Sequence, residues 1–174
     1  MQVGIKKIRE TAILPEYGTE RSACADLRAC FEDTFSVQML TGSNETPVTP
    51  VVWKQDSYES NYLLIEPRGR ALIPTGLIFD IPDGYSLRVH PRSGLSYKLG
   101  MTVVCGEGVI DEDYQKELFV PVINHSEIYV AIHNGDRIAQ IELVKDERCS
   151  FGFIEELSDK NSSRNGGFGH TGTN

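Results

Sequence analysis

The apolar residues of this chain come in short runs. "ALIPTGLIFDIP", "YSLRVH", "TVVCG", "ELFVPVIN", "IYVAI" and "RIAQIELV" are each brief or alternate with polar residues, and Gly, Pro, Asn and Asp turns separate them. Runs of that length bounded by turn formers predict strands, and their even spacing predicts an all-β barrel or sandwich. Only "GLSYKLG" predicts a helical turn, with Ser93 capping its start and Gly100 ending it. With 174 residues there is enough chain for one core and too little for two. No run is apolar for long enough to span a membrane, and "MQVGIKKIRE" lacks the apolar stretch of a signal peptide, so the expected location is the cytoplasm.

Charge and cysteine spacing narrow the function classes. A net charge of -8 argues against a broad nucleic-acid or membrane surface, which needs a basic field. Local arginines can still hold a small anion. Cys24, Cys30, Cys105 and Cys149 show no C-x-x-C spacing and the four histidines no H-E-x-x-H pattern, so the thiols are expected to be reduced core residues, not a disulfide frame or zinc site.

One region breaks the rhythm. From about Ser36 to Asn61 a polar cluster, "TGSNET", joins two strand-like runs, the second carrying Pro47 and Pro50. Prolines confine such a strand to an edge or a projecting hairpin. The sole tryptophan, Trp53, lies here, either packing the hairpin base or contacting a partner or neighbouring subunit.

Three segments carry candidate chemistry. "HPRSGLSYKLG" sets Arg92 and Ser93 before the helical turn, where unpaired amides, a guanidinium and a hydroxyl suit a phosphate; an ordinary capped turn is the alternative. "GEGVIDEDYQKELFVPVIN" crowds acids and Tyr114 onto a hairpin turn. Gly106 and Gly108 permit close backbone approach to a ligand, and Asp111 and Asp113 would share a face if the strand stayed extended. One of these acids could activate water, or the segment is simply a solvated tip. In "NGDRIAQIELV", Gln140 alternates onto the face of Ile138 and Val144, a polar group on the expected buried side. It needs a partner there, either core backbone or a ligand. The chain ends on "RNGGFGHTGTN", which has no apolar periodicity and a single aromatic, Phe168.

Taken together, "SACADLRA", "PRSGLSYKLG", "GVIDEDYQKEL", "GDRIAQIEL" and "RNGGFGHTG" resemble, in order, the five motifs of the homotrimeric dUTPase family, between Ala23 and Gly172. The resemblance implies a jelly-roll-like β-barrel over residues 1–160, with the hairpin-like insert at about 36–61, a flexible C-terminal lid over 161–174, and three active sites each built from three subunits. It implies hydrolysis of dUTP at the α-phosphorus to dUMP and pyrophosphate, with Mg²⁺ on the triphosphate. Asp111 matches the aspartate that deprotonates the attacking water, and Tyr114 the ring under the deoxyribose. Backbone around Gly106, Gly108, Val109 and Ile110 would read the uracil edge, with Cys105 nearby where some bacterial members carry asparagine. Arg92, Ser93 and Gly94 match the phosphate turn, and Gln140 a phosphate-side contact. Asp26 matches an acid that acts on the metal indirectly, through water or neighbouring side chains. In the tail, Phe168 would stack on the uracil, and Arg164, Gly167, Gly169 and Thr171 would close on the phosphates, with His170 following as a loop residue. Arg164 and Phe168 stand one residue closer than is common in the family. A related dCTP deaminase, or bifunctional deaminase and dUTPase, would carry a glutamate where this chain has Pro121. A further alternative is a dUTPase whose insert also binds a regulatory protein.

Overall fold

The computed structural model describes residues 1–31, 36–44, 48–50 and 61–160. In chain order the strands are β1 (Gly4–Lys7), β2 (Glu16–Tyr17), β3 (Ala25–Arg28), β4 (Ser36–Leu40), β5 (Val48–Pro50), β6 (Tyr62–Ile65), β7 (Arg70–Pro74), β8 (Leu77–Asp80) and β9 (Tyr85–His90). The helix α1 (Ser93–Leu99) follows, then β10 (Met101–Val103), β11 (Gly108–Ile110), β12 (Phe119–Asn124), β13 (Val130–His133) and β14 (Arg137–Lys145). Two five-stranded sheets, β10-β12-β7-β4-β5 and β11-β9-β14-β3-β2, are joined by two short pairs, β1-β8 and β13-β6. The pairings are antiparallel and the architecture is all-β and jelly-roll-like.

Alternation explains why these runs became strands. In β12, Val120, Val122 and Asn124 point inward while Phe119, Pro121 and Ile123 lie between them on the other side. Each fully buried valine or isoleucine contributes about 2 kcal/mol through removal from water. Asn124 is the polar exception, and its environment satisfies it: Nδ2 donates to Ile65 O and Ile128 O, and Oδ1 accepts from the Ser126 amide and hydroxyl.

Three expectations change. The run starting at Ser36 is not all insert, because β4 pairs with β7 and buries Val37 and Met39 in the core. Only β5 lies at the sheet edge, where Pro50 costs no ladder bond to a further strand. Trp53 lies outside the described residues. The cysteines are not uniformly core thiols: all are free, but only Cys30 is buried, while Cys105 sits in a turn and Cys149 in an exposed stretch. The last strand ends at Lys145, and residues 147–160 run exposed, so the packed sheets stop short of 160.

Candidate active site

The first half of the site is a rung across three neighbouring strands. Gln140 of β14 pairs with Asp26 of β3 on one side and His90 of β9 on the other. Beyond His90 the chain turns at Pro91 into α1, and this brings Arg92 over the rung. Arg92 Nε donates to Asp26 Oδ1 at 2.8 Å, and Arg137 Nη1 to Asp26 Oδ2 at 3.2 Å. Arg92 Nη1 also donates to the Arg137 carbonyl at 3.2 Å. One carboxylate thus fixes two guanidiniums at the mouth of a cleft of about 480 Å³ lined by Gly18, Ser22, Cys24, Asp26, Arg92, Ser93, Gly94, Arg137 and Gln140. Burial, and then the Glu142 carboxylate, holds the Cys24 thiol above its ordinary pKa.

Two details of this half differ from expectation. Ser93 does not cap α1: Arg92 is the N-cap residue with extended backbone and makes no side-chain cap bond. A guanidinium has no acceptor to offer an amide, and this one is drawn to Asp26. Ser93 is therefore the first helical residue, exposed beside Gly94. At the other end the expected glycine cap is present, with Gly100 left-handed at φ 66°. Gln140 is not on a buried face. A register shift between Arg137 and Ala139 buries Ile138 and Ala139 together, so the alternation slips and Gln140 turns to the cleft. Its Nε2 donates to Pro91 O at 3.0 Å, which pins the turn before Arg92 and leaves one N–H for a ligand.

The second half is the hairpin around β11. This strand pairs with β9 on one side and ends the sheet on the other, so its outer backbone groups have no partner strand among the described residues. Gly106 sets the preceding turn at φ 74°, a conformation that side chains disfavour. After Ile110 the chain does not stay extended: the Tyr114 amide bonds Asp111 O, closing a turn, so Asp111 and Asp113 do not share a strand face. The turn sorts the acids. Glu112 accepts from the Gly84 amide and from Arg148 Nη2, anchoring the tip. Asp111 is exposed and makes no side-chain bond among the described residues. Tyr114 Oη donates to Glu117 O at 3.0 Å, and Glu117 is itself clamped by Arg9 Nη2 at 2.7 Å and the Gly76 amide at 2.8 Å.

Within one chain the base of the hairpin adjoins the rung, Gly108 pairing with Val89, while its far end runs away from it: Ile110 pairs with Leu87, three residues before His90, about 10 Å along the strand direction. Asp26, Arg92, Ser93, Gly94 and Gln140 meet in the cleft, whereas Cys105, Gly108, Val109, Ile110, Asp111 and Tyr114 group on the hairpin. Arg164, Gly167, Phe168, Gly169, His170 and Thr171 lie outside the described residues. Sequence reasoning missed Arg137 as a site residue; its position directly after "GD", in the motif that supplies Gln140, was the available signal.

Comparisons with known proteins place the chain in a family. A dUTPase family model matches residues 55–172. A deoxyuridine 5'-triphosphate nucleotidohydrolase of Treponema denticola is 39% identical over 95% of both chains, and one of Finegoldia magna is 45% identical over 67% of this chain and 80% of its own. Among solved structures, a mutant dUTPase of Staphylococcus bacteriophage 80alpha with dUpNHpp superposes with a TM-score of 0.73, covering 98% of each chain at 21% identity. A mutant dUTPase of phage phi11 of S. aureus, whose structure describes coordination of a structural Mg(II) ion, matches at TM-score 0.68, covering 91% of this chain and 100% of its own at 19% identity. This chain belongs to the dUTPase family.

Proposed function

We propose that this protein hydrolyses dUTP to dUMP and pyrophosphate by attack of water on the α-phosphorus. The observation that carries the reading is the interlocked Arg92–Asp26–Arg137 arrangement at the cleft, in a chain of this family. Attack at phosphorus needs alignment and charge neutralisation more than covalent catalysis. Arg92, Ser93, Gly94 and the remaining N–H of Gln140 take the phosphates. The open backbone edge at Gly108, Val109 and Ile110 reads the uracil, beside Cys105, and Tyr114 packs against the deoxyribose. Asp111 accepts the proton of the attacking water as the bond to the β-phosphate breaks. The C-terminal residues Arg164 to Thr171 close over the nucleotide, with Phe168 on the base.

The donor set at the cleft fits magnesium carried on the substrate. Its one carboxylate, Asp26, has both oxygens engaged by arginines, so it would act on the metal only indirectly, and magnesium is commonly held through phosphates and waters. When bound, the ion neutralises charge on the triphosphate.

The separation of the two halves along β9 supports a homo-oligomeric site, trimeric by family analogy, in which one chain's hairpin meets another's cleft. Exposed Phe151, Phe153, Ile154 and Leu157 after β14 supply apolar surface that a neighbouring copy would cover. The insert beyond Leu40, up to residue 61, also serves to contact a protein; a pull-down comparing the full chain with a 41–61 deletion tests that part, and identical captures would refute it. No helix among the described residues is long and apolar enough to cross a membrane. The activity is tested by pyrophosphate release from dUTP, dCTP, dTTP and UTP, with magnesium and then with chelator. Selective, magnesium-dependent release from dUTP is expected; equal release from all four would overturn the assignment.

A further inference from the structure

Two residues along the chain from each member of the phosphate cluster stands a group of different chemistry. Cys24 is two from Asp26, His90 two from Arg92, and Glu142 two from Gln140. Cys24 directly precedes β3, His90 ends β9 and Glu142 lies in β14, which runs between β9 and β3. The Ile141–Ala25 pair sets Glu142 beside Cys24, and the Gln140–His90 pair sets it diagonal to the imidazole. One ligand atom from each of the three lies within 4.8 Å of the others. His90 Nε2 stands 3.0 Å from Glu142 Oε1, while Nδ1 faces Glu107 Oε1 at 3.7 Å. All three residues are half-buried.

We propose that Cys24, His90 and Glu142 bind a zinc-class divalent transition metal, with water completing a tetrahedral shell. One sulfur, one imidazole nitrogen and one carboxylate oxygen form a borderline-soft donor set, which suits zinc and not the hard ions magnesium and calcium. Zinc bond lengths place tetrahedral ligand atoms about 3.3–3.6 Å apart, so side-chain adjustments of about 1 Å convert the cluster into a coordination shell. Without metal, Nε2–H faces the Glu142 carboxylate; metal binding displaces that proton, and Glu107, 3.7 Å from Nδ1, stands on the side where a carboxylate orients a ligating histidine. Bound there, the ion ties the segment leading into β3 to β14 and β9, one step from the rung that holds Asp26 and Gln140, at the border of the phosphate cleft that Cys24 also lines. This site is independent of the magnesium that accompanies the substrate.

The test uses the full-length protein, stripped with chelator under reducing conditions and titrated with Co(II), then Zn(II), by absorption and calorimetry. One metal per chain is expected, with a thiolate-to-cobalt charge-transfer band that zinc bleaches and a melting temperature that rises with zinc. Cys24→Ser should abolish the band, while Cys105→Ser and Cys149→Ser keep it. Glu107→Gln should weaken affinity by about tenfold, and His90→Ala and Glu142→Gln by more. Unliganded melting curves for each variant establish that a lost band is not a lost fold. Absence of stoichiometric binding, or a band that survives in Cys24→Ser and disappears with Cys105→Ser or Cys149→Ser, would overturn the proposal.

Discussion

The two ends of β9 carry halves of one site that are built in opposite ways. At the His90 end the charges are paired inside the chain: Asp26 holds Arg92 and Arg137, and Gln140 holds the Pro91 carbonyl. At the Tyr85 end the hairpin is held by Glu112, Gly84 and Arg148, while Asp111 is left unengaged among the described residues. The first half holds its charged groups in place through bonds within the chain. The second leaves the Asp111 carboxylate exposed.

Substitutions can break that contrast, and the largest effect belongs to the unengaged acid. Asp111→Asn should lower turnover by about 10²- to 10⁴-fold while a non-hydrolysable dUTP analogue still binds, because general-base help is lost and contacts are kept. Steady-state kinetics with calorimetric binding checks this, and near-normal turnover would remove Asp111 from the role. Arg92→Gln removes a charge-assisted contact and should weaken analogue binding by roughly 10- to 100-fold. Asp26→Asn keeps an acceptor but releases the second guanidinium; roughly a tenfold fall in kcat/KM is expected, rescued in part by raised magnesium if the acid also acts on the metal's water shell. Glu112→Ala loosens only the tip, and its Arg148 partner is 80% exposed, so a change of roughly threefold in KM is expected by titration of initial rates.

How much of this was legible in the sequence depended on whether a residue's role is set locally. The β12 and β9 runs read correctly because alternation and flanking turns decide them. β4 was misplaced into the insert because its burial comes from pairing with β7, thirty residues later. Gln140 was assigned to the wrong face because a register shift near Arg137 resets the alternation, and no local pattern announces it. Glu112 and Asp111 are adjacent acids of the same composition class; only the long-range bonds to Gly84 and Arg148 separate anchor from candidate base. The Cys24–His90–Glu142 cluster joins three segments distant in sequence, so motif spacing could not show it.

The division of the site between copies is tested most directly by subunit complementation. Asp111→Asn and Arg92→Gln chains, each impaired alone when assayed at dUTP well below the KM of the Arg92→Gln chain, are mixed under conditions where differently tagged subunits exchange. If one chain's hairpin meets another's cleft, about a quarter of the sites in a one-to-one random mixture join an intact Asp111 to an intact Arg92, and dUTP hydrolysis returns to about that fraction of wild type. If exchange is confirmed and the mixture stays as inactive as its parts, both halves act within a single chain and the shared site is wrong.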